Sequence, residues 1–191
     1  MARLSVAETA GDTHGEAGEV QLRDQPGGSG STCRSILAAL PTWFGIEEAV
    51  ESYAVAADRL PTVIASLDGE DVGLLTVLTF GSYAAEVLVM AVLPEHHRRG
   101  VGRRMLEHAE SALADAGVEF LQVKTLSSRR PDAGYEKTRA FYLACGFRPL
   151  EEFPDLWGRE NPALQMIKAL GPANASTQPS RRTLLGPEEG R

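Results

Sequence analysis

Hydrophobic residues recur along residues 19–170 with two periods, one near two and one near 3.6, and each change of period marks an element boundary. Val20 and Leu22 alternate with polar neighbours and predict a short strand over 19–23. After a Pro/Gly/Ser-rich stretch at 25–32, Ser31 or Thr32 is placed to cap a helix that runs to Leu40 and stops at Pro41. Ile46, Val50, Tyr53 and Ala54 share one face of a second helix over 46–60, with Trp43 and Phe44 in the turn before it. Two apolar runs, Thr62–Leu67 and 72–80, flank Asp68 and Gly69, a pair suited to the positive φ angles of a tight hairpin, and a third run over 85–93 follows Gly81 and Ser82. From Gly100 the period lengthens: Val101, Met105, Leu106, Ala109, Leu113 and Ala114 form one stripe that ends at Gly117, and a strand over 119–125 completes a strand–helix–strand unit. A helix over 135–145, ended by Gly146, and closing strands at Arg148–Phe153 and 163–167 around a Trp157 loop give an α/β chain with a mixed sheet.

At 191 residues and 43% hydrophobic, the chain supports one core and one domain, over 19–170. Residues 1–18 and 171–191 lack apolar periodicity and read as disordered tails. Residues 1–30 hold no signal-type apolar run and no stretch reaches membrane-helix length, so a cytoplasmic protein without a membrane partner is expected. A net charge of −7 disfavours nucleic acid as a partner, since that role calls for a basic face. Cys33 and Cys145 form no C-x-x-C pair and fit a reducing compartment, and Cys145 reads as a small buried hydrophobe. His96 and His97 are adjacent rather than four apart on a helix, so no metal is expected.

One segment departs from the acidic background. Between the strand ending near Val92 and the helix beginning near Gly100 lie Pro94, His96, His97, Arg98 and Arg99, and Gly102, Arg103 and Arg104 follow. The first amides of a helix have no partners within it and carry the positive end of its dipole, so this junction suits a diphosphate, with glycines admitting phosphate oxygens to the backbone. A P-loop is excluded because no Gly-Lys-Ser or Gly-Lys-Thr follows. A dinucleotide fingerprint is disfavoured because Met105 stands at its third glycine and residues 94–99 separate the strand from the glycines.

Val92, Pro94, Gly100 and Gly102 match the V-x-P, five residues, G-x-G pattern of the GNAT superfamily of N-acetyltransferases, and the run from Thr138 to Phe147 resembles that family's F-Y-x-x-x-G-F helix end. The resemblance covers about residues 19–170. It implies a mixed, mostly antiparallel twisted sheet with a splayed central parallel strand pair and flanking helices. It also implies acetyl-CoA as cosubstrate: Met90, Ala91 and Val92 would offer backbone to the pantetheine arm, while Arg98, Arg99, Gly100, Val101, Gly102 and Arg103 would hold the pyrophosphate. His97 stands where the family has Gln or Arg, and Tyr135, on the cofactor-facing stripe, stands where it has Asn.

Acetyl transfer needs a neutral amine, a polarised thioester and a proton for the departing thiolate. By resemblance Tyr142 is the acid. Glu86, fourteen residues before Gly100, matches the general-base glutamate of histone acetyltransferases in the superfamily, with a water relay to Glu151 or Glu152 as the alternative. Even spacing predicts that Glu86, Met90 and Val92 lean to one face. Tyr135, Thr138 and Tyr142 share a helical stripe expected to face the cofactor, with Phe141, Ala144 and Cys145 packing elsewhere. The acceptor, a small-molecule or peptide amine, is expected between Trp43, Phe44 and the loop over 153–161, with Glu47, Glu48 and Glu152 favouring a cationic one. The expected function is direct N-acetyl transfer in a ternary complex, and a homodimer is compatible with it. The rival reading is a catalytically degenerate acyl-CoA-binding or protein-interaction module, for which Trp43, Phe44 and Trp157 would form an apolar patch.

Overall fold

The computed structural model describes residues 18–171, so nearly all of both expected tails lies outside the described residues. The elements run β1 (Gln21–Gln25), α1 (Gly30–Ala38), α2 (Glu47–Ala57), β2 (Thr62–Leu67), β3 (Glu70–Phe80), β4 (Ala84–Val92), α3 (Val101–Asp115), β5 (Phe120–Leu126), α4 (Ala133–Ala144), β6 (Arg148–Phe153) and β7 (Ala163–Ala169), with a 3-10 turn at Pro94–His96. The strands form one seven-stranded sheet in the order β1-β2-β3-β4-β5-β7-β6, antiparallel throughout except for the parallel pair β4–β5.

Local chemistry explains most boundaries. The β2–β3 turn takes positive φ at both Asp68 (51°) and Gly69 (87°), the conformation that a two-residue hairpin requires. Neither Ser31 nor Thr32 caps α1; the helix begins at Gly30, earlier than expected and with Ser29 at its N-cap, and Asp58, just past α2, accepts the Gly30 amide at 2.7 Å. In α4, by contrast, Asp132 caps conventionally, accepting from the amides of Gly134 and Tyr135 at 2.9 Å.

The sheet has two cores. On one face α1 and α2 bury Cys33, Ile36, Leu37, Ala54 and Ala57 against Ile64, Leu74, Val89 and Ala91. On the other, Val101, Met105 and Leu106 of α3 and Tyr142 and Cys145 of α4 pack against Val63, Leu75, Val87, Leu121 and Val123. Val87 and Val89 lie on opposite faces although two residues apart. The reason is a bulge: Val77 pairs with Val87 and Thr76 with Val89, so Leu88 is the extra residue and side-chain alternation inverts there. This corrects the expectation that Glu86, Met90 and Val92 share a face. Glu86 is on the α1/α2 side, whereas Met90 and Val92 pack against the α3/α4 core.

The β1 edge is held by Arg23, which donates to both Asp71 oxygens at 2.6 and 2.7 Å. The hydrogen bond from Arg23 holds the Asp71 carboxyl below its ordinary value. A depressed carboxyl stabilises the fold at pH values above its unfolded pKa and loses that contribution as pH falls through the folded one. Asp71→Asn is therefore expected to lower stability at neutral pH while flattening the acid limb of a melting-temperature profile below about pH 4; an acid limb as steep as in the parent chain contradicts the assignment.

Candidate active site

The parallel pairing of β4 with β5 runs only from Ala84↔Phe120 to Val87↔Val123, although β4 continues to Val92 and β5 to Leu126. Beyond the Leu88 bulge the two strands diverge, and their facing backbone edges have no strand partner among the described residues. A cleft of about 860 Å³ occupies the gap. Its lining comes from both sides of the sheet: Leu40, Trp43, Phe44, Tyr53 and Lys124 from the α1/α2 side, and Val101, Gly102, Phe141 and Tyr142 from the α3/α4 side. The splay is thus an opening through the sheet, which lets two ligands approach from opposite faces and meet.

At one end of the cleft lies the start of α3. Arg98 (φ 62°) and Gly100 (φ 81°) both take left-handed backbone, which turns the chain out of the 3-10 turn and into the helix. The first helical hydrogen bond is Arg104 N–H to the Gly100 carbonyl at 3.0 Å, so the amides of Gly100–Arg103 have no partners in the helix, and no side chain caps it. A Cβ on Gly102 would sit 3.6 Å from Phe141 and 3.8 Å from Val92, so the residue faces the cleft across a narrow space.

Arg98, Gly100, Val101, Gly102 and Arg103 line the cleft; Arg99 does not, and its guanidinium donates to His96 Nδ1 at 3.1 Å. Met90, Ala91 and Val92 also line it, but the Val92 carbonyl already accepts from His97 Nε2 at 2.7 Å. The indole of Trp43 meets the His97 ring edge-on at 6.0 Å, and its carbonyl accepts from the Tyr135 hydroxyl at 3.1 Å. The loop between α1 and α2 therefore spans the splay from the β4 side to the start of α4.

Tyr142 lines the cleft with only 5% of its surface exposed, its ring set against Phe141 at 5.3 Å and Phe147 at 5.4 Å. Burial pushes its hydroxyl well above the ordinary tyrosine range, with Cys145 adding to the effect. The hydroxyl therefore keeps its proton at working pH. Tyr135 and Thr138 line the cleft, and Phe141 and Ala144 line it too, which corrects their placement elsewhere: the α4 stripe that faces the gap is wider than three hydroxyls.

Glu86 does not line the cleft. It is 6% exposed, and its Oε2 accepts from Gln122 Nε2 at 2.7 Å and pairs with Lys124 Nζ, while Gln165 in turn bonds to Gln122 Oε1. Glu152 is likewise outside it. Its position on β6, opposite Leu164, directs it to the Ser127 hydroxyl and to Arg129 Nε at 2.6 Å, and the Ser127 hydrogen bond holds its carboxyl low. Glu47 and Glu48 are exposed in the first turn of α2 and do not line the cleft either.

Lys124, Tyr53, Lys137 and Thr125 line the cleft, and none of them was assigned to a site from the sequence. Lys124 was legible by the reasoning applied to Glu86, since it is a charge on an otherwise apolar strand. Thr125 is 3% exposed and its buried hydroxyl has no partner among the described residues, which suits it to a polar ligand group in the gap. Burial raises Cys33 to about 11 and also raises Cys145, which leaves both as protonated core thiols unsuited to covalent catalysis. Among the described residues no cluster of His, Cys, Asp and Glu could hold a metal ion, and no helix is long and apolar enough to cross a membrane.

Residues 58–149 match the family model of the Acetyltransferase (GNAT) domain. An uncharacterized N-acetyltransferase from Chlorobaculum tepidum is 29% identical over 97 residues, which cover 49% of this chain and 56% of that protein, so the chain spans about half the length of this relative. The ribosomal-protein-S18-alanine N-acetyltransferase of Escherichia coli superposes with a TM-score of 0.65 at 18% identity, over 84% of this chain and 99% of that one. A GNAT family acetyltransferase from Elizabethkingia anophelis, solved with acetyl-CoA bound, superposes with a TM-score of 0.62 at 13% identity, over 79% and 98%.

Proposed function

Because the chain carries a GNAT acetyltransferase domain, we propose that it moves an acetyl group from acetyl-CoA to a primary amine by direct transfer in a ternary complex. The observation that carries this reading is the opening through the sheet, which joins the unpartnered amides of α3 to an aromatic chamber on the opposite face. The residues present fit the cosubstrate. Amides from Gly100 to Arg103 would receive the pyrophosphate with Arg98 and Arg103 beside them, and the free β4 edge at Met90 and Ala91 would hold the pantetheine amides. The Thr125 hydroxyl would complete its bonding in the same gap.

In the reaction the amine nitrogen attacks the thioester carbonyl, the C–S bond breaks, and the thiolate takes its proton from the Tyr142 hydroxyl. The attacking nitrogen loses its proton to water, and the Tyr142 phenolate takes a proton back from solvent, so the protons balance. A water relay is favoured over direct abstraction by Glu86, because no carboxylate among the described residues lines the cleft and Glu86 lies behind Lys124, bonded to it and to Gln122. Glu86 acts in this scheme as a positioning residue for Lys124.

The test is release of free thiol from acetyl-CoA by the purified chain against a panel of primary amines. Amine-dependent release is expected. Cofactor binding with no release from any amine would replace the enzyme by a binding module.

A further inference from the structure

The half of the cleft that would receive the acceptor carries positive charge and aromatic rings, and no carboxylate. Among the described residues that line the cleft none is Asp or Glu. Arg98 and Arg103 flank the start of α3 and Lys137 is on the exposed rim, so Lys124 is the cation within the chamber formed by Phe44, Tyr53 and Trp157. Lys124 stands one residue past the last parallel pair, where β5 leaves β4. Its ammonium is anchored from behind: it bonds to Glu86 Oε2, which Gln122 also holds, and Gln165 fixes Gln122 in turn. The carboxylate side chain is 8% exposed against 24% for the lysine, so the positive end of the pair faces the cleft. An ammonium has three donors, and Glu86 accounts for the one hydrogen bond that Lys124 makes to a described residue.

From this arrangement we infer that the acceptor is a primary amine that also bears a carboxylate and a flat apolar side chain, of the aromatic α-amino-acid type. The carboxylate would bond to Lys124 Nζ, and the ring would lie among Phe44, Tyr53 and Trp157, the first two already meeting edge-on at 6.1 Å. This deepens the acetyl-transfer reading and rests on it. A polyamine or aminosugar brings extra cations into a chamber with no carboxylate to receive them, so the inference replaces the cationic acceptor expected from Glu47, Glu48 and Glu152.

The experiment compares matched pairs on the full chain with CoA present, L-phenylalanine against phenethylamine and L-tryptophan against tryptamine, reading affinity from thermal shift titrations and, separately, CoA release. The member with the carboxylate is expected to bind roughly ten- to hundredfold tighter, as for a charge-assisted hydrogen bond. Lys124→Gln alone would leave Glu86 buried without its cation, so the informative variant is Lys124→Gln with Glu86→Gln, which should abolish the preference, while Lys124→Arg should keep it. Equal binding, preference for the decarboxylated amine, binding of neither member, or a preference that survives in the double variant overturns the inference. Preference for the carboxylate without CoA release from any amine would support the acceptor assignment and refute acetyl transfer instead.

Discussion

Tyr142→Phe is expected to lower kcat by roughly 10²–10⁴-fold, the range for loss of a general acid, while acetyl-CoA affinity and melting temperature stay near those of the parent chain. The substitution removes one oxygen and keeps the ring, so the edge-on contacts with Phe141 and Phe147 persist. Burial keeps the Tyr142 proton in place, so the hydroxyl still carries it when a thiolate forms beside it. The hydroxyl acts on the leaving thiolate and not on the bound thioester, so its loss should be felt in turnover rather than in binding. Steady-state kinetics with acetyl-CoA varied at saturating amine check this. A variant with parental kcat would mean that solvent protonates the leaving group.

The order of elements was legible because amphipathic periods and turn residues act locally. Asp68 and Gly69 form the hairpin turn expected of them, and the stripe from Val101 to Ala109 is buried as its spacing requires. The start of α1 was misplaced because its capping group, Asp58, is distant in sequence. The larger miss was the inversion at Leu88. A bulge is set by how β4 pairs with β3, and nothing in a run of valines, leucine and methionine announces it. That single extra residue separates Glu86 from Met90 and Val92, turns the carboxylate toward Gln122 and Lys124, and so makes a lysine on the neighbouring strand the charge that the cleft presents. The residues of the proposed diphosphate junction are contiguous in sequence, whereas those of the proposed acceptor chamber come from α2, β5 and two loops.

Gly102→Val is expected to abolish the stabilisation that acetyl-CoA gives the parent chain while leaving the ligand-free melting temperature within a few degrees. A ligand present at a hundred times its Kd and bound only by the folded state contributes about 2.7 kcal/mol, and for a domain of this size that is a rise of roughly 5–11 °C. The glycine is in the first turn of α3, where its amide is among those without a helical partner. Its added Cβ would meet Phe141 and Val92 at 3.6 and 3.8 Å, which is ordinary contact, so the helix can form. Valine's two methyl groups then extend into the space between α3 and α4 that phosphate oxygens must enter to reach the amides, and those amides are covered without being removed. Thermal shift titration with acetyl-CoA, repeated with Gly102→Ala as a smaller intrusion, should show graded weakening from alanine to valine. A full shift in the valine variant would place the diphosphate elsewhere and, with it, the direction in which the thioester enters the splay.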